Sequence, residues 1–181
     1  EILRCLVGSE MCIRDRNKVM LDGEWYNVDC TWDDPILDPP DENFIRHYYF
    51  LVSDKDIEGI THFPDNTYFS YPECSSDNNY FRREGLYADS ADSGIALLSS
   101  AAADAISAGL TDAEARFADE KAYYSAKTAL FDRKKIRQVL EYADSRADKP
   151  AGKTVMTNKY VRYCNDSLLI IHITMICEDT R

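Results

Sequence analysis

The amino-acid sequence predicts an α+β protein in two parts. Residues 17–87 hold an antiparallel β-hairpin and sheet, and residues 88–181 form a small α/β accessory region. Three observations carry this reading. The runs NKVML and EWYNVDCTW alternate in strand fashion about Asp22-Gly23, the dipeptide that a tight type I′ turn favours. After Tyr87 the chain turns to Ala-rich, helix-spaced stretches that alternate with β-rich ones. The net charge of −11 is also unevenly divided, with 20 acidic against 8 basic residues over 1–100 and 12 against 13 over 101–181.

The elements follow in order. Residues 1–16, EILRCLVGSEMCIRDR, show neither strand nor helix periodicity, and GSEMCIRDR looks like translated adapter sequence. They are set apart as a non-native or disordered segment, and the chain, which opens on Glu1, is expected to be a fragment. In the second arm of the hairpin, Trp25, Asn27, Asp29 and Thr31 are expected on one face, and Tyr26, Val28, Cys30 and Trp32 on the other. DDPILDPPDEN, with its prolines, predicts an irregular loop. HYYFLV (47–52) predicts a strand, and Ser53 an N-cap for a short helical turn. Residues 61–79 are turn-rich, and NYF (79–81) predicts an extended piece.

Residues 93–109 then predict a helix closed by Gly109. LTDAEARFAD predicts a strand, and KAYYSAKTALF and KKIRQVLEYADS two helices, the second with Ile136, Val139, Leu140 and Tyr142 on one side. TVMTNKYVRY and SLLIIHITMI predict two strands about the turn pair Asn165-Asp166.

Several function classes are set aside. The longest apolar stretch, 167–176, is about half the length of a membrane-spanning helix. No stretch joins a basic head to an apolar run and a small-residue cleavage site. The acidic first half repels phosphate backbones, so nucleic acid is not an expected partner. Six cysteines (5, 12, 30, 74, 164 and 177) form no CxxC pair. The three histidines (47, 62 and 172) lack metal-ligand spacing. Asp33, Asp34, Asp38 and Asp41 lack the calcium-loop pattern. No metal and no cofactor are expected. Cys30, Cys164 and Cys177 read as core packing, Cys74 as a loop residue, and His47 and His172 as strand residues. The aromatics Tyr48, Tyr49, Phe50, Trp25 and Trp32 read as core.

The segment LDGEWYNVDCTWDDP (21–35) carries the chemistry. It resembles the C-terminal catalytic segment of the bacterial transglutaminase-like superfamily of papain-fold cysteine peptidases and transglutaminases. Trp25, Tyr26, Val28, Thr31, Trp32, Asp33, Asp34 and Pro35 match the family's strand pattern, and Asp29 takes the place of the triad Asp. HYYFLVSD and PECSSDNNYF resemble the continuation, so the resemblance covers roughly residues 17–87. It implies a papain-like core in which a Cys attacks a carbonyl, a His takes its proton and Asp29 orients the His. It further implies a hydrolase or transferase acting on protein or peptide amides, in an extracytoplasmic or cell-surface setting.

Register arithmetic supports this placement. If Asp22-Gly23 is a two-residue loop, Asp29 faces position 16 and has position 14 as a diagonal neighbour, within about 5–8 Å. The family's His would stand at 14. Here 14 and 16 are both Arg, and the upstream helix with its Cys is not in the chain. Asp29 is then expected to face Arg16 or Arg14 as a cross-strand ion pair worth roughly 0–1 kcal/mol. His62 with one of the remaining cysteines is the weaker Cys–His combination. The expected function is therefore a piece of a transglutaminase-like cysteine enzyme, inactive as it stands. The alternative is a non-catalytic binding or structural module on the same scaffold, using the acidic loop 33–42 and the aromatics to contact a wall polymer or protein.

Overall fold

The computed structural model describes residues 2–4, 16–34, 46–57, 70–149 and 153–179. The chain divides into two units, Glu1–Arg83 and Glu84–Arg181.

In the first unit the Asp-Gly hairpin forms as its chemistry dictates. β2 (Arg16–Leu21) and β3 (Glu24–Asp29) pair antiparallel from Leu21↔Glu24 out to Arg16↔Asp29. Asp22 (φ 55°) and Gly23 (φ 84°) both take the left-handed backbone that a type I′ turn needs. The sheet order is β1-β2-β3-β4, with β1 Ile2–Arg4 and β4 Phe50–Val52, antiparallel throughout. Within the segment 1–16, Ile2, Leu3 and Arg4 pair with Val19, Lys18 and Asn17 at the edge of β2. Between Asn27↔Val52 and Val28↔Phe50 the register shifts by one, and Leu51 is the extra residue, with a φ of 55°. Its side chain packs with Tyr26, Val28 and Val19 on the apolar side of the sheet.

Three local expectations change. The second arm of the hairpin stops at Asp29, whose carboxylate accepts from the Trp32 N–H and caps a helical turn, α1 (Cys30–Asp33). Cys30 and Thr31 are consequently exposed rather than on strand faces, and Cys30 is not core packing. Only Phe50–Val52 of the 47–52 run is a strand, because the Tyr49 N–H bonds the Asp33 carboxylate instead of a ladder partner. His47 thus precedes the strand and stacks on Tyr80, with centroids 4.2 Å apart. Residues 80–83 are helical (α3, Tyr80–Arg83), since Asn79 caps the Arg82 N–H. Ser53 accepts from the Asp56 N–H at the start of α2 (Asp54–Ile57), as its sequence position predicts.

The second unit is a βαβ crossover extended by two helical segments and a hairpin. β5 (Tyr87–Ala88) leads through α4 (Ala91–Ser107) to β6 (Asp112–Phe117). α5 (Glu120–Lys127) runs into a π-helical turn, Thr128–Asp132, and α6 (Ile136–Arg146) follows. β7 (Lys153–Asn165) and β8 (Ile170–Asp179) complete the sheet, ordered β5-β6-β8-β7, with β5 parallel to β6 and the other pairs antiparallel. Between Val155↔Cys177 and Tyr160↔Met175, residues 156–159 of β7 bulge against the single Ile176 of β8.

Strand alternation builds the core. Ala113, Ala115 and Phe117 of β6 and Ile171, Ile173 and Met175 of β8 pack with Leu98, Ala102 and Ile106 of α4 and Ile136, Val139, Leu140 and Ala143 of α6. Ala143 takes the core place expected for Tyr142, which is 41% exposed. α4 begins at a Ser90/Ser93 capping box and ends in a Schellman motif, with Gly109 (φ 79°) and Leu110 donating to Ile106 and Ala105. No described helix is long and apolar enough to cross a membrane.

Candidate functional site

The polar side of the first sheet is assembled by the hairpin register. Lys18↔Asn27 and Arg16↔Asp29 are successive cross-strand pairs of like orientation, so Asn27 and Asp29 share a face. Asp29 is fully buried, as are Tyr26 and Cys74. Its backbone N–H donates to the Tyr49 carbonyl at 3.0 Å, and its Oδ1 accepts from the Trp32 N–H at 3.0 Å. Asp33, also buried, accepts the Tyr49 N–H with both oxygens, at 2.9 and 3.2 Å, and Trp32 meets Tyr49 edge to face at 5.5 Å. The 46–49 segment is therefore locked onto the end of β3. Tyr48 and Tyr49 are buried, as core aromatics should be, whereas Phe50 is 37% exposed.

Beside Asn27 lies a network that the sequence reading missed. Lys18 Nζ donates to Asp54 Oδ1 at 2.9 Å and contacts Cys74 Sγ at 3.2 Å. Asn27 Nδ2 donates to the same Asp54 oxygen at 2.8 Å. Asp54 Oδ2 accepts the Cys74 N–H at 2.8 Å, and the Asp54 N–H donates to the Cys74 carbonyl at 2.8 Å. Burial pushes the Asp54 carboxyl up, but the bonds from Asn27, Lys18 and the Cys74 N–H outweigh it and hold the group below the usual carboxylate range. Burial pushes the Cys74 thiol up, despite Lys18. Three separate chain segments build this network, so no local motif announces it.

A second polar cluster lies in the other unit, on the sheet face away from α4 and α6. His172, 1% exposed, bonds Asp112 through Nε2 at 2.9 Å and faces Glu114 through Nδ1 at 3.5 Å. Thr174 also donates to Asp112, and the Tyr163 ring meets the imidazole edge to face at 5.8 Å. Burial pushes the imidazole pKa down, but the bonds and charges of Asp112 and Glu114 prevail and raise it above the ordinary value.

The remaining expected site residues are placed as follows. His172 lies in β8 and is held by carboxylates. Cys164 and Cys177 are half-buried thiols on β7 and β8. His62, Cys5, Cys12, Arg14, the Arg16 side chain and most of the acidic loop 33–42 lie outside the described residues, and the Asp29 ion pair with them. Among the described residues, no group of three or more His, Cys, Asp or Glu is arranged to hold a metal ion. The chain matches no family model, and no curated protein is significantly similar to it.

Proposed function

We propose that the first unit is the C-terminal part of a transglutaminase-like catalytic core, with Asp29 as the carboxylate that orients a histidine supplied ahead of Asn17. The observation that supports this reading best is the hairpin register. It sets Arg16 opposite Asp29, and the resemblance puts the histidine two residues before position 16. Asp29 is buried and rigidly attached at both its backbone and its side chain, as a group that fixes an imidazole must be.

In the intact parent the thiol proton passes to the histidine, and the thiolate attacks an amide carbonyl of a protein or peptide. The leaving amine takes the proton from the imidazolium. Water or a second amine then resolves the acyl-enzyme. Asp29 holds the imidazole tautomer and steadies the imidazolium. Arg stands at 14, where the resemblance puts the histidine, so that position supplies no imidazole.

The test joins the chain to its own upstream reading frame and follows amide hydrolysis and amine incorporation on peptides. Asp29→Asn is expected to lower kcat by roughly 10²–10⁴-fold while thermal unfolding stays cooperative. A parent whose activity survives Asp29→Asn overturns the reading. So does an upstream frame without a histidine three residues before Asn17. The second reading, a binding module, draws on Asp29 serving as a helix cap, a role that needs no imidazole. It predicts a well-folded parent with no amide chemistry at all.

A further inference from the structure

We propose that Lys18 and Cys74 are the site of an oxidative modification, a covalent Nζ–O–Sγ bridge formed by hydrogen peroxide. The two atoms stand 3.2 Å apart although 56 residues separate them in the chain, so the fold alone brings them together. Asp54 holds both partners at once. One oxygen accepts from Lys18 Nζ and Asn27 Nδ2, the other from the Cys74 N–H, and the Asp54 N–H returns a bond to the Cys74 carbonyl. Amine and thiol are thereby pre-organised, which removes most of the orientational cost of joining them. A single bridging oxygen spans a separation near the present one, whereas a direct S–N bond would draw the atoms far inside it. Cys74 is fully buried and the Lys18 side chain is 16% exposed. Of the two, only Lys18 meets solvent.

The chemistry balances with two equivalents of peroxide. The Cys74 sulfur takes an oxygen from the first as the O–O bond breaks, giving a sulfenic acid and water. Lys18 releases its ammonium proton to solvent, and its amine takes an oxygen from the second peroxide, giving a hydroxylamine and water. The hydroxylamine oxygen then attacks the sulfenic sulfur, the S–OH bond breaks and a third water leaves. Sulfur and nitrogen are oxidised, and both peroxides are reduced to water. Excess dithiol reverses the bridge to lysine, cysteine and water, with the dithiol oxidised to disulfide.

The experiment treats the whole chain with hydrogen peroxide, digests it with trypsin without reductant and analyses the peptides by mass spectrometry. The expected product is a cross-linked pair containing Lys18 and Cys74, heavier than the two peptides by one oxygen and lighter by two hydrogens. Cleavage after Lys18 is blocked, and dithiothreitol restores it. The product is expected to vanish in Cys74→Ser and in Lys18→Arg, the second of which keeps the charge beside Asp54, and in chain oxidised in urea. Linear peptides carrying only oxidised Cys74, with trypsin still cutting after Lys18, overturn the proposal. So does equal cross-linking in the denatured chain, because the fold would then play no part.

Discussion

His172 is buried between Asp112 and Glu114, with Tyr163 against its ring, and its proton is held more tightly in the folded than in the unfolded chain. This contribution to stability is complete below the unfolded value near 6.5 and is lost as pH rises through the raised folded value. Asp112 works in the opposite sense. Burial raises its pKa, but the bonds from His172 and Thr174 lower it further, so its contribution is lost as pH falls through that depressed value. As pH rises above about 6.5, the Tm of the unmodified chain is expected to fall more steeply than that of His172→Gln, measured by circular dichroism. In the other unit, Asp54→Ala removes the shared acceptor of Lys18, Asn27 and the Cys74 N–H. It is expected to cost about 2–4 kcal/mol in urea unfolding. Neither cluster was readable from the sequence. Lys18, Asn27, Asp54 and Cys74 meet only once the sheet and the chain around it are in place, and His172 meets Asp112 only because β8 inserts between β6 and β7. The pairing of Asp29 with Arg16 was readable, since a two-residue turn fixes every pair in its hairpin.

Helix α4 is rich in small residues, and its Gly94 packs against Phe117 of β6. A Cβ there would come within 2.1 Å of the Phe117 ring, which is itself buried. Gly94→Ala is expected to destabilise the protein by about 1–3 kcal/mol in chemical denaturation, outweighing the helix-propensity gain of about 1 kcal/mol. Leu51 poses the opposite balance. Its positive φ is strained, but its side chain closes the cluster of Tyr26 and Val28. Leu51→Gly is expected to be net destabilising by about 1–3 kcal/mol, because lost burial of about 2–5 kcal/mol exceeds the strain relieved. Elements marked by local chemistry were readable: the Asp-Gly hairpin, the Ser53 turn and the Gly109 helix end. Those decided by caps inside apolar runs were not. Asp29 and Asn79 each turn a β-rich string into a helical turn, and alternation alone gives no sign of it.

Glu84–Arg181 contains every residue of the largest core cluster, from Ala88 to Met175. Residues 84–181 expressed alone are expected to unfold in one cooperative thermal transition, and a gradual, non-cooperative melt would refute this. The composition of the sequence changes near Tyr87, and the two units divide at Glu84. The sheet order β5-β6-β8-β7 was not foreseeable, since a crossover and a hairpin can be inserted in more than one order. That order leaves the longest strand, β7, on the rim, where a straight ribbon of free amides and carbonyls would invite another chain to stack on it. The four-residue swelling at 156–159 breaks that ribbon, and Lys153, Lys159 and Arg162 place positive charge along it. Trimming the swelling to restore an even ladder is expected to raise the tendency toward edge-to-edge fibril formation.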